Sequence, residues 1–245
     1  MDQGYFTSFD IMSHELRQSG FAIVPKIETG SLLCHNRCGI TAHFLYNTDA
    51  DVLLWIDADE AWRPGDAAAI LYASEKLQLV GGAYCKKVAH VRELPWKEIA
   101  EAARAGVPDA QLQFVGQKFA FGFLPEDVDV AVGYTGPTMT MFGRRLIRVS
   151  HAGTGFFAMT REALTVIASR APKVDGGMPI LFNNLATNKF VGEDTHFCRL
   201  AREAGFSIWL DTETRIDHHG IVGFTGDLSG DRLHDFARRE AVCPS

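Results

Sequence analysis

One stretch constrains the fold of this chain more than any other: Asp51-Val52-Leu53-Leu54-Trp55-Ile56-Asp57, five apolar side chains in a row with an acid at either end. A strand with one wet face alternates apolar and polar residues, whereas a continuous apolar run has to be covered on both faces. The segment therefore predicts a strand at the centre of a layered α/β domain, with helices on both faces of a mostly parallel central sheet.

The flanking sequence supports that class. Helical periodicity runs over residues 5–16, 33–46, 67–75, 97–105, 161–170 and 193–204, and β-branched or aromatic runs mark strands at 21–27, 77–81, 155–159, 207–210 and 212–217. The helix at 97–105 stops where Gly106 and Pro108 follow. Between residues 111 and 150 short apolar runs at 128–131 and 146–149 are separated by Gly and Pro, which predicts a small antiparallel edge. Residues 171–191 read as a long loop with the character of a lid, and the chain after residue 217 reads as a polar tail.

With 245 residues, of which 47% are hydrophobic, the chain can bury a single large core without staples. The five cysteines, Cys34, Cys38, Cys85, Cys198 and Cys243, are odd in number and form no Cys-x-x-Cys pair, so free thiols in a reducing compartment are expected and zinc is not. No apolar run is long enough to span a membrane and no leader precedes the first helix, so a cytoplasmic location is expected. A formal charge of −6 argues against general nucleic-acid affinity, although Lys86, Lys87 and Arg92 form a local basic cluster.

Three groups of residues carry chemistry. Asp57-Ala58-Asp59 closes the apolar strand at its carboxyl end, beyond which open α/β sheets bind ligands, and two carboxylates at i and i+2 suit a hard divalent cation. Gly192-Glu193-Asp194 opens a helix whose N-terminal dipole faces the same crevice. Asp217-His218-His219-Gly220 follows a short strand late in the chain and offers an imidazole for Mn²⁺. Taken singly, the first two are also what helix-capping acids look like, and the third is also a surface histidine. Their order and spacing together are more specific than any one of them.

The ordered set resembles the family 2-type glycosyltransferases of the GT-A fold, particularly a small bacterial and phage branch. The matching stretches are Ser31-Leu32-Leu33 with Asn36-Arg37, Val52 to Asp59, and Val80-Gly81-Gly82-Ala83-Tyr84-Cys85-Lys86-Lys87. They continue with Ala152-Gly153-Thr154-Gly155-Phe156-Phe157-Ala158-Met159, Gly192-Glu193-Asp194 with Phe197-Cys198-Arg199, Gly205 to Asp211, and His218 with Gly220. The resemblance implies a single GT-A domain over residues 1–245, with 1–110 binding a nucleotide sugar and 111–245 binding the acceptor. It implies a UDP- or GDP-sugar donor, Mn²⁺ or Mg²⁺ held by Asp57, Asp59 and His218, and Asp194 as the base that deprotonates the acceptor, preceded by Glu193. Arg37 and Lys87 would meet donor phosphate or sugar, Asp57 would also lie near the donor ribose, and Gly153 and Gly155 would let backbone approach the transferred sugar. Two features depart from the family. Relatives open with a strand and loop that hold the base, but here a helix follows Met1 almost at once; and Arg37 is followed by Cys38 where relatives carry Asn.

Three rivals share parts of this pattern. A sugar-phosphate nucleotidylyltransferase calls for a Gly-rich basic loop that residues 1–30 lack. A glycoside hydrolase needs the carboxylates but neither a metal nor a diphosphate. A non-catalytic nucleotide-sugar-binding module would bind donor without turnover. The acceptor, whether glycan, protein, lipid-linked sugar or modified nucleic-acid base, is not specified by any motif.

Overall fold

The computed structural model describes residues 3–30, 32–86, 95–112, 115, 118–174, 177–186, 190–218, 224–225 and 230–242. In chain order the elements are α1 (Gln3–Gln18), α2 (Leu33–Asn47), β1 (Val52–Ile56), β2 (Glu60–Trp62), α3 (Asp66–Leu77), β3 (Leu79–Gly82), α4 (Trp96–Arg104) and α5 (Asp109–Leu112). Then come β4 (Phe121–Gly122), β5 (Val128–Asp129), β6 (Gly133–Tyr134), β7 (Thr138–Met141), β8 (Arg144–Val149), β9 (His151–Ala152), β10 (Phe156–Thr160) and α6 (Arg161–Arg170). The chain ends with β11 (Leu185–Ala186), β12 (Phe190–Val191), α7 (Glu193–Glu203), β13 (Ile208–Asp211), β14 (Ile216–His218), β15 (Phe224–Thr225) and α8 (Arg232–Val242).

The fold is α/β, built on a mixed six-stranded sheet in the order β1-β10-β3-β13-β8-β7. The expectation of a mostly parallel sheet is corrected: β3 and β13 pair in parallel, while β1–β10, β10–β3, β13–β8 and β7–β8 are antiparallel. β1 also lies at an edge of this sheet and not at its centre. An apolar run reports cover on both faces, and it carries no information about the direction or rank of the strand. That cover is present in part, with Trp55 buried and the other four residues half-buried. Trp55 packs into one hydrophobic cluster with Leu79, Ile147, Phe157, Met159, Ile208 and Leu210, beneath α2, α6 and α7. Leu54 and Ile56 pack into the other, with Val80, Leu146, Phe156 and Ala158 beneath α1 and α3. Alternate residues of each strand thus enter opposite layers.

The sheet interleaves strands from residues 1–110 with strands from residues 111–245. The antiparallel edge expected from the middle of the chain is present as β7–β8. A buried clamp ties that edge to the rest: Arg144 Nε donates to Asp211 Oδ2 at 2.6 Å and its Nη2 lies 2.9 Å from Asp66 Oδ1, joining β8, β13 and the first turn of α3. A second cation, Arg161, starts α6 and donates to the carbonyls of Phe44, Leu45, Thr48 and Ala50, sealing the end of α2.

Three further expectations change. Residues 21–27 form no strand, and Val24 and Ile27 are exposed there; β-branched residues without a partner strand or a buried face have nothing to pair with. The span 171–191 is not loop throughout, since β11 and β12 pair as a hairpin inside it and Phe182 is buried against Phe197. The polar tail contains α8, whose Leu233, Phe236 and Ala237 are buried at helical spacing, with the Phe236 ring 5.0 Å from that of Phe119. Among the described residues, no helix is long and apolar enough to cross a membrane.

Candidate functional site

β1 ends at Ile56, and the chain turns at once through Asp57 and Asp59 into β2. The Asp57 amide is held by the carbonyl of Gly155 at 2.7 Å, which fixes the turn against the loop leading into β10. α2 passes behind it and buries Arg37 to 2% exposure. From there Arg37 Nη2 donates to both carboxylate oxygens of Asp57 at 3.1 Å, and its Nη1 donates to Glu193 Oε1 at 3.3 Å and to Asp194 Oδ1. Burial opposes the charge of this guanidinium, but Asp194 and Asp57 outweigh it and hold the proton more tightly than an ordinary arginine would. The side chain stacks between Trp55 and Phe182, its Cζ 6.0 Å and 5.8 Å from the ring centroids.

Glu193 and Asp194 occupy the first turn of α7, behind the N-cap Gly192. Their side chains do not cap that helix; they reach back to Arg37. Asp194 accepts a second hydrogen bond from the Thr154 hydroxyl, again on Oδ1, so neither bond engages Oδ2, on a side chain that retains 26% exposure. Burial raises its carboxyl above the usual range, while Arg37 and Thr154 pull it down.

On the other side of the turn, His218 at the end of β14 faces Asp59, with Nε2 3.8 Å from Oδ1. Its Nδ1 lies 2.8 Å from the carbonyl of Cys85, an acceptor that draws the Nδ1 proton and orients the ring with Nε2 toward Asp59. The Tyr84 ring packs edge-on against the imidazole at 5.3 Å, and the Tyr84 hydroxyl accepts the Gly155 amide at 3.1 Å. Gly153 and Gly155 are explained by contacts within the protein: a Cβ at Gly153 would overlap the Tyr84 hydroxyl, and one at Gly155 would meet Glu60 and Asp57.

The structure thus brings Arg37, Asp57, Gly155, Glu193 and Asp194 into one cluster and sets Asp59 and His218 together beside it. Arg37 is sealed beneath the acids. Lys87, His219 and Gly220 lie outside the described residues.

Two residues of the cluster were not singled out from sequence as site residues. Thr154, fully buried, orients Asp194, and the Gly-Thr-Gly spelling was the available signal. Glu60 is also fully buried, and neither of its carboxylate oxygens has a hydrogen-bond partner. Burial, then the charges of Asp57 and Asp194, push its carboxyl well above the usual range against the pull of Arg37.

These residues fit a hard divalent cation. Three carboxyl groups, of Asp57, Glu193 and Asp194, meet one guanidinium; Glu60 has two orphaned oxygens, and Asp59 with His218 supplies an oxygen–nitrogen pair. As they stand, no three His, Cys, Asp or Glu side chains among the described residues are gathered tightly enough to enclose an ion.

No family model matches the chain, and no curated protein matches it. Among solved structures, the crystal structure of A197 from STIV is similar over 89% of this chain and 87% of that one, at 15% identity and a TM-score of 0.47.

Proposed function

We propose that this protein is a metal-dependent glycosyltransferase of the GT-A type, which moves a sugar from a nucleotide diphosphate donor to an acceptor hydroxyl. The observation that carries this reading is the meeting of four separate pieces of chain: Arg37 ties Asp57 to Glu193 and Asp194, and His218 faces Asp59. Asp59 and His218, with Asp57, would hold Mn²⁺ or Mg²⁺, and such an ion supplies charge that stabilises a departing diphosphate.

The chain's own residues have three tasks. Asp194 takes the acceptor proton on Oδ2; Oδ1 is held by Arg37 and Thr154, so the carboxylate cannot turn its receptive edge away. The Tyr84 hydroxyl holds the Gly155 amide and so fixes the buried loop that carries Thr154 against Asp194. Arg37 neutralises part of the acid cluster from beneath, so Asp57 and Asp194 keep a fixed separation while ligands come and go.

The test is turnover with a panel of UDP- and GDP-sugars in Mn²⁺, read as release of nucleoside diphosphate with and without candidate acceptors. Asp194→Asn is expected to keep donor binding and lose at least about a hundredfold in transfer, the scale of a positioned base. Normal turnover in that variant removes Asp194 from the role, and donor binding without turnover in the wild-type chain favours a binding module.

A further inference from the structure

The buried carboxyl of Glu60 has no partner in the resting protein, although native structures rarely leave such a group unsatisfied without a use for it. An ionised carboxylate in that state costs several kcal/mol in folding free energy. Its surroundings show what would satisfy it. In the β2–β14 ladder Glu60 stands directly opposite His218, and directly opposed residues of an antiparallel pair project from the same face. A Cβ at Gly155 would meet Glu60 Oε1 and also lie 3.0 Å from Asp57 Oδ2, so those two oxygens border the same point of the loop. Glu60 therefore borders Asp57 at Gly155 and shares a face of the β2–β14 ladder with His218.

We propose that Glu60 is the buried carboxylate ligand of a divalent cation, sharing it with Asp57 and His218, so that the turn presents three acids to the ion where the Asp-x-Asp pair alone presents two. This rests on the reading of the site as cation-dependent. Both Glu60 oxygens are sealed from solvent, so a partner that reaches them must be small, which suits an ion over a sugar hydroxyl or a phosphate. Gly155 is required because any side chain there would take the space between the two acids.

The experiment uses Mn²⁺ alone, with no nucleotide. Binding is followed by the electron paramagnetic resonance signal of free Mn²⁺, and thermal unfolding is measured in chelator and in Mn²⁺. Wild type, Glu60→Gln, Glu60→Asp and Asp59→Ala are compared. Glu60→Gln and Glu60→Asp are expected to bind Mn²⁺ weaker by on the order of tenfold or more. Glu60→Gln in chelator is expected to unfold no earlier than wild type, and to gain less from Mn²⁺. Wild-type affinity in both Glu60 variants, with binding lost in Asp59→Ala, overturns the role of Glu60 and leaves the cation site standing. Glu60→Gln that unfolds earlier in chelator while keeping its Mn²⁺ affinity assigns Glu60 to the fold and also overturns it. A wild-type chain that takes up no Mn²⁺ refutes the cation site itself, and Glu60 with it.

Discussion

Arg37 Nη2 lies 3.1 Å from both carboxylate oxygens of Asp57, a paired contact made by an arginine that is almost wholly removed from solvent. The same guanidinium reaches Glu193 and Asp194, so one side chain of α2 joins the end of the first strand to the start of a helix more than 130 residues later.

Its removal defines the first prediction. Arg37→Met keeps much of the apolar stem against Trp55 and Phe182 but leaves three acids without their counter-ion. Breaking a buried pair from one side costs on the order of 3 kcal/mol, and because the acids are partly exposed the lower end of that scale is expected, read by urea unfolding. Arg37→Lys recovers only part of the loss, since an ammonium cannot span Asp57 and α7 as the planar fork does.

Gly153 gives a second. Alanine there drives its methyl into the Tyr84 hydroxyl, so Gly153→Ala lowers the melting temperature. In a Tyr84→Phe background the same substitution costs less, because the atom it strikes most closely is gone. Equal costs in the two backgrounds, measured as a double-mutant cycle, contradict the contact.

His151 sets a pH dependence. Burial, together with the positive charges of Lys86 and Arg202, lowers its imidazole to about 4. Between about 4 and the ordinary 6.5 the unfolded chain therefore binds a proton that the folded chain refuses, so stability falls as pH drops through that window and is fully present above it. The expected loss is on the order of 2 kcal/mol, and His151→Gln should flatten that limb of the stability–pH curve. An unchanged slope in the variant sends the acid sensitivity elsewhere.

Much of the site could be read from the sequence because its chemistry is written at element ends. Asp57 and Asp59 close an apolar strand, Glu193 and Asp194 open a helix, and His218 ends a short strand; each position is marked by an abrupt change from apolar to charged residues. Arg37 was legible as a site residue, but its burial was not, because nothing local tells a solvated arginine from one folded under three acids. Glu60 stayed hidden behind its neighbours for the same reason: a third acid after Asp57 and Asp59 looks like surface. In the fold, helix 161–170 was legible to the residue because Thr160 caps it and Arg161 begins it. Strand direction was not, since β10 inserts between β1 and β3 from far along the chain and reverses the pairing. α8 was missed although Leu233, Phe236 and Ala237 have helical spacing, because the charged residues between them dominate the composition.

The central claim is that the acids of the turn and the late histidine form a cation-dependent diphosphate site. Its most direct test is titration calorimetry of UDP, GDP and other nucleoside diphosphates into the full chain, with Mn²⁺ and with chelator, for wild type, Asp59→Ala and His218→Ala. The account predicts binding in Mn²⁺ that chelator abolishes and that each substitution weakens by on the order of tenfold or more. Affinity unchanged by chelator, or equal in all three proteins, contradicts it.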